Sequence, residues 1–179
     1  LHPALDALES LLAEHAPNPA DIAAIDLRFA EAGAHCVDDN RLKSHSAQYI
    51  LPVRAALGRL SPLDLFVDQR AASPAVARLA ARTTVTRDRG DFDARFPDVY
   101  AGEVTLTLAD GRTVSATREI ARGYPETPLG AAEIAAKFDS VVGLVAGDDR
   151  RARLAEAARG LADDPSVDPL MALLREPAD

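Results

Sequence analysis

Tryptophan is absent from this 179-residue chain, cysteine and methionine occur once each, and aromatic residues make up only 4% of it. The lone Cys36 excludes an intrachain disulfide and a cysteine-based zinc centre. No stretch approaches the ~18 consecutive apolar residues of a membrane span, and no signal-peptide pattern opens the chain. Positive charge is in the minority, with 20 Lys+Arg against 28 Asp+Glu and a net charge of −8. Nucleic acid and anionic membrane are therefore excluded as main partners. The glycine patterns that cradle phosphates and the Gly-x-Ser-x-Gly turn of serine hydrolases are both missing. The expectation is a cytoplasmic protein.

What is present is ordinary globular composition, 47% hydrophobic and 27% charged. Alanine fills roughly a fifth of the chain against typical usage, so the core should be aliphatic and rich in small side chains. Leu5, Leu8, Leu11 and Leu12 recur at helical spacing until Pro17 and Pro19 end the run. Residues 22–29 read as a strand, with Ile25, Leu27 and Phe29 on one face. Residues 33–43 and 89–97 read as loops. Ser44 is placed to cap a helix that Gly58 stops, and Ser61-Pro62 and Ser73-Pro74 open two short helices. Residues 83–87 form a second strand. Residues 103–108 and 112–117 flank Asp110-Gly111, a hairpin signal, with Val104, Leu106 and Leu108 on one face. Gly130 and Glu133 suggest a capping box without its serine. Ile134, Phe138, Val141, Val142 and Val145 then make an apolar stripe expected to pack on the sheet. A charged helix bearing Leu154, Ala157, Ala158 and Leu161 follows, and Asp168-Pro169 opens the last one. This order predicts an α+β fold, a small, mostly antiparallel sheet covered by helices. It divides into a domain over residues 1–146 and a helical extension over 147–179.

The chemistry-bearing residues concentrate in residues 43–52. On a helix, His45, Gln48 and Tyr49 fall at i, i+3 and i+4, so imidazole, amide and phenol share one face near the N-terminus. That end suits a carboxylate, and Lys43 is adjacent. The structural alternative leaves His45 and Gln48 in solvent and Tyr49 half-buried in the core. His2 is a second candidate. His15 and His35 read as surface residues, and Asp38-Asp39 and Asp148-Asp149 as solvated turns.

Five motifs in order resemble the MmgE/PrpD family. The segment His2-Pro3-Ala4-Leu5-Asp6-Ala7 is similar to its H-x-x-[IL]-D-A, and Asn18-Pro19-Ala20-Asp21-Ile22 to the stretch leading into its C-terminal domain. His45-Ser46-Ala47-Gln48-Tyr49 resembles its H-x-x-Q-Y helix. Asp110-Gly111 resembles its late hairpin, and Gly123-Tyr124-Pro125-Glu126-Thr127-Pro128-Leu129, followed by Lys137-Phe138, its G-x-P-x-N-P-L…K-F stretch. Thr127 stands where asparagine is usual.

The resemblance implies the smaller α+β lid of an enzyme whose active site lies between that lid and a large helical domain. The family includes 2-methylcitrate dehydratase, cis-aconitate decarboxylase and an iminodisuccinate epimerase. The implied function is the lid of a cofactor-independent lyase acting on a small di- or tricarboxylate, with no metal required. By position, His2 and Tyr49 would be catalytic, while Lys43, His45 and Gln48, from the helix-face reading above, would bind substrate. The Tyr49 hydroxyl should then face a concave surface shared with His45 and near His2. An epimerase of the same family, or a non-catalytic lid-like subunit, are the alternatives. Leu1 opens the chain without methionine, so the helical domain is expected from the same precursor or from a separate chain. Homo-oligomerisation, as a dimer, would run through that domain.

Overall fold

The computed structural model describes residues 1–163 and 166–177. The chain divides into two compact units, Leu1–Pro128 and Leu129–Asp179. The first unit carries the sheet. Helix α1 (His2–His15) leads through a short 3-10 turn (Pro19–Asp21) into β1 (Ile22–Ala30). The chain then passes α2 (Glu31–Ala34), a second 3-10 turn (Lys43–His45), α3 (Ala47–Leu57), α4 (Leu63–Phe66), α5 (Gln69–Ala72) and α6 (Pro74–Ala80) before β2 (Thr83–Asp88). Helix α7 (Asp91–Arg95) and the hairpin of β3 (Gly102–Leu108) and β4 (Thr113–Arg118) complete it.

The four strands lie in the order β2-β1-β3-β4. The fold is α+β, and all four expected strands join one sheet. That sheet is mixed rather than mostly antiparallel, because β1 pairs parallel to β2 and antiparallel to β3. The crossover through α2–α6 brings β2 to the edge of β1 in the same direction, as a parallel pair requires.

Alternation sets the faces. Val104, Leu106 and Leu108 are buried, while Thr105 and Thr107 between them are half-exposed. On β1, Ile25, Leu27 and Phe29 share the inner face. Ile22 reaches the core from the opposite parity because the register shifts between Ile22 and Ala24. Ala4, Ala7, Leu8 and Leu11 of α1 and Ala47, Leu51 and Ala55 of α3 pack against these residues. Alanine at these positions lets the helix backbones approach the sheet closely. At the hairpin, Gly111 adopts φ +86° and its amide donates to the Leu108 carbonyl at 2.9 Å. A Cβ is strained in that conformation.

Short helices occupy part of both stretches read as loops. Asp88 Oδ2 accepts from the Phe92 amide at 2.7 Å and so helps begin α7. Helix α3 begins later than Ser44. The Ala47 amide donates to the Val37 carbonyl at 2.9 Å, and Ser46 stands at the N-cap. Gly58, with φ +67°, ends α3 as expected, and Pro52 sits inside it.

The second unit holds α8 (Ala131–Val142), α9 (Asp148–Gly160) and α10 (Asp168–Arg175). Glu133 Oε2 accepts from the Gly130 amide at 2.9 Å, the surviving half of a capping box. No residue of α8 is buried, and Ile134 and Val145 are 56% and 58% exposed. The stripe expected to pack on the sheet thus lies on a helix of the second unit that has no buried residue. Periodicity reports a helix with an apolar face and is silent on what covers that face. Phe138 and Val142 instead line a cavity with Leu154, Leu170 and Leu174. Arg150 closes the α9–α10 pair by donating to the carbonyls of Leu173 (3.0 Å), Glu176 (2.6 Å) and Pro177 at the end of α10.

Candidate functional site

Tyr49 is completely buried. Its ring joins Ile50, Val53 and Val76, with Leu1 and Leu5 packed against the same cluster. Its hydroxyl lies against the carbonyls of Asp64 and Val67 (2.9 Å to the latter) and accepts from the Gln69 amide at 3.1 Å. A phenol has one proton and its oxygen is an acceptor, so this set uses all its capacity. Asp64, 1% exposed, accepts from Arg59 at 2.9 and 3.0 Å, from the Ser61 amide at 2.7 Å and from Gln69 Nε2 at 3.0 Å. Residues 59–69 are thus wound onto Tyr49.

Two cations flank the ring. Lys43 Nζ is 5.7 Å from the ring centroid and Arg70 Cζ is 5.3 Å away, both within cation–π range. Lys43 also donates to the Leu65 carbonyl at 3.1 Å. Arg70 holds the Asp68 carboxyl below its ordinary value, chiefly through a side-chain hydrogen bond, and Asp68 raises Arg70 in return.

The expected shared face of His45, Gln48 and Tyr49 does not form. His45 belongs to the 3-10 turn before α3, is exposed, and meets Ser44 Oγ through Nδ1 at 2.9 Å. Gln48 is 8% exposed and faces residues 38–39, accepting from the Asp39 amide at 2.9 Å and donating to Asp38 at 2.8 Å. Tyr49 turns to residues 64–69. The structure brings Lys43 to Tyr49 and leaves His45 and Gln48 elsewhere. Nor does the Tyr49 hydroxyl face a concave surface, since backbone groups cover it.

His2 is exposed on the first turn of α1. The segment after β4 runs back along this helix. Arg118 donates to Ser10 Oγ at 2.5 Å, and Arg122 reaches Asp6 twice, through its amide at 2.7 Å and Nε at 2.9 Å. Ser10, Asp6 and His2 are four residues apart, on one face of the helix. The next residues along this path, Tyr124 and Glu126, line a cavity with Pro3. That turn is held by Gly123, with φ +96° and its amide on the Thr127 carbonyl at 2.7 Å. Thr127 Oγ1 donates to the Ala121 carbonyl at 2.7 Å, so the residue in the usual asparagine position still fastens the turn.

Two motifs more than a hundred residues apart thus meet at one end of α1. The sequence model of the MmgE/PrpD C-terminal domain matches residues 1–163. The chain belongs to the MmgE/PrpD family. Among curated proteins none matches the chain. The family match covers the Tyr49 cluster, the His2 end and helices α8 and α9, and stops before α10.

Sequence reasoning missed Arg122, Asp64 and Arg70, and showed Asp6 only as a motif residue. The role of Asp6 and the presence of Asp64 left no local pattern, because their partners are remote in sequence or unmarked. Arg122 stands just before the Gly123–Leu129 motif and carries no motif signal of its own. Among the described residues, no group of three or more His, Cys, Asp or Glu side chains is placed to hold a metal ion, and no helix is long and apolar enough to cross a membrane.

Proposed function

We propose that this chain is the lid of a cofactor-independent lyase that eliminates water or carbon dioxide from a small di- or tricarboxylate, such as 2-methylcitrate or cis-aconitate, in the cytoplasm. It works against a helical domain, carried by the same precursor or by a separate chain. The observation that carries the reading is the convergence of the family's His2–Ala7 and Gly123–Leu129 motifs, brought together by Asp6 and the flanking Arg122, beside an exposed imidazole. Such eliminations move a proton next to a carboxylate, and histidine changes charge near neutrality. His2 is the proton-transferring group in this reading. Lys43 supplies positive charge for a substrate carboxylate. Tyr49 acts through Lys43 and Arg70, as a positioning residue whose ring fixes both cations.

The test is turnover of cis-aconitate and 2-methylcitrate by the 179-residue chain, alone and mixed with a helical domain of the family. The chain alone should be inactive and the mixture active. His2→Gln should lower that activity about 10²-fold or more. An active mixture indifferent to His2→Gln removes His2 from the chemistry. A mixture that binds without turnover supports a non-catalytic subunit instead.

A further inference from the structure

The cavity at the start of α1 encloses about 180 Å³ and has Pro3, Asp98, Tyr100, Ile120, Tyr124 and Glu126 among its lining residues. Its charge is wrong for the substrate proposed above. A third carboxylate, Glu119, also lines it. Arg95 answers Glu119 at 2.8 Å, but Asp98 and Glu126 make no hydrogen bond or ion pair among the described residues. Elsewhere in the first unit, Glu9, Glu31, Asp64, Asp68 and Asp88 each meet an arginine. Two unanswered carboxylates on one cavity repel a polycarboxylate and attract a cation.

The apolar lining is equally specific. Tyr100, Ile120 and Tyr124 are 46%, 41% and 51% exposed. They are not loose side chains on a floppy loop. Tyr124 rides the turn closed by Thr127 and fastened to α1 through Arg122, and Tyr100 stacks edge-on with Phe96 at 4.9 Å. Ordered aromatic rings at an open cavity give binding area at little entropic cost. Ring faces together with carboxylate oxygens match a planar guanidinium, which stacks and donates in a fork.

We propose that this cavity is the docking site for an arginine side chain on a partner protein segment, stacked on Tyr100 or Tyr124 and paired with Asp98 and Glu126. The proposal rests on the lid reading only in naming the helical domain as the carrier of that arginine. In that arrangement the partner seats itself beside His2 through a contact that excludes the anionic substrate from this cavity.

The experiment titrates acetyl-Leu-Arg-Leu-amide into the isotope-labelled 179-residue chain and follows backbone amides by NMR. Saturable shifts should centre on Tyr100, Ala121, Tyr124 and Glu126. Replacing arginine by neutral citrulline should abolish them, and the double variant Asp98→Asn/Glu126→Gln should weaken binding about tenfold. Tyr124→Ala should weaken it independently of those charges. Equal binding of the citrulline peptide, shifts centred elsewhere, or no saturable shift at millimolar peptide would each overturn the proposal. So would citrate moving the same amides at the same concentration, which would make this an anion site. Because turnover is not read, failure here leaves the lyase reading standing, and failure of that reading leaves this binding result intact.

Discussion

The Tyr49 cluster and the His2 end of α1 are both built from family-motif residues, yet they use their polar groups in opposite ways. Around Tyr49 the hydroxyl and the Asp64 carboxylate are consumed internally, and what they hold is the backbone of residues 59–69. At the His2 end, polar groups hold a turn in place and leave His2, Tyr124 and Glu126 facing outward. A motif residue can therefore be kept for architecture or for chemistry. Counting its hydrogen-bond partners separates the two.

That contrast fixes an order of expected effects. Asp64→Ala strips acceptors from Arg59, the Ser61 amide and Gln69, and should cost about 3 kcal/mol of stability in urea unfolding. Tyr49→Phe keeps the ring but removes the one proton shared by the Asp64 and Val67 carbonyls and the acceptor of the Gln69 amide, for a loss of about 2 kcal/mol. If Tyr49→Phe instead unfolds like the unaltered chain, the hydroxyl is not architectural and the contrast collapses. Asp6→Asn should cost about 1 kcal/mol or less, because Arg122 is solvent-facing, while speeding hydrogen exchange in residues 121–127. His2→Gln should leave stability within ~0.5 kcal/mol, as for an exposed side chain.

The smallest effect is electrostatic. Arg70 lowers the folded-state value of Asp68, so their pairing stabilises the fold above the unfolded value near 3.8. That contribution is lost as pH falls through the lowered folded value. Urea unfolding of Asp68→Asn across a pH series checks the sign. The variant should be slightly less stable than the unaltered chain at neutral pH and match it once Asp68 is protonated.

Much of the sheet was legible because strand alternation is a two-residue pattern. Val104, Leu106 and Leu108 announce their face within the span of a single strand. The direction of β2 was not legible, since parallel pairing depends on how a long crossover packs. The start of α3 was misjudged by a local cap signal at Ser44. A remote acceptor, the Val37 carbonyl, instead fixes where the chain turns helical, and this removes His45 from the face of Gln48 and Tyr49. The Asp6–Arg122 pairing joins residues 116 apart. Nothing local marks such a contact, although the two motifs it joins were visible separately.

The position of β1 between β2 and β3 also has a consequence during synthesis. β1 is made before both of its neighbours, with about 50 residues separating it from β2 alone. At ~5–20 residues per second, that interval lasts about 3–10 s on the ribosome. Throughout it, Ile25, Leu27 and Phe29 lie on a segment with no strand on either side, the condition under which chains stick to one another. Translation speed across residues 31–82 thus governs how long the nascent chain must be shielded, and a slow codon run there would raise its need for a chaperone.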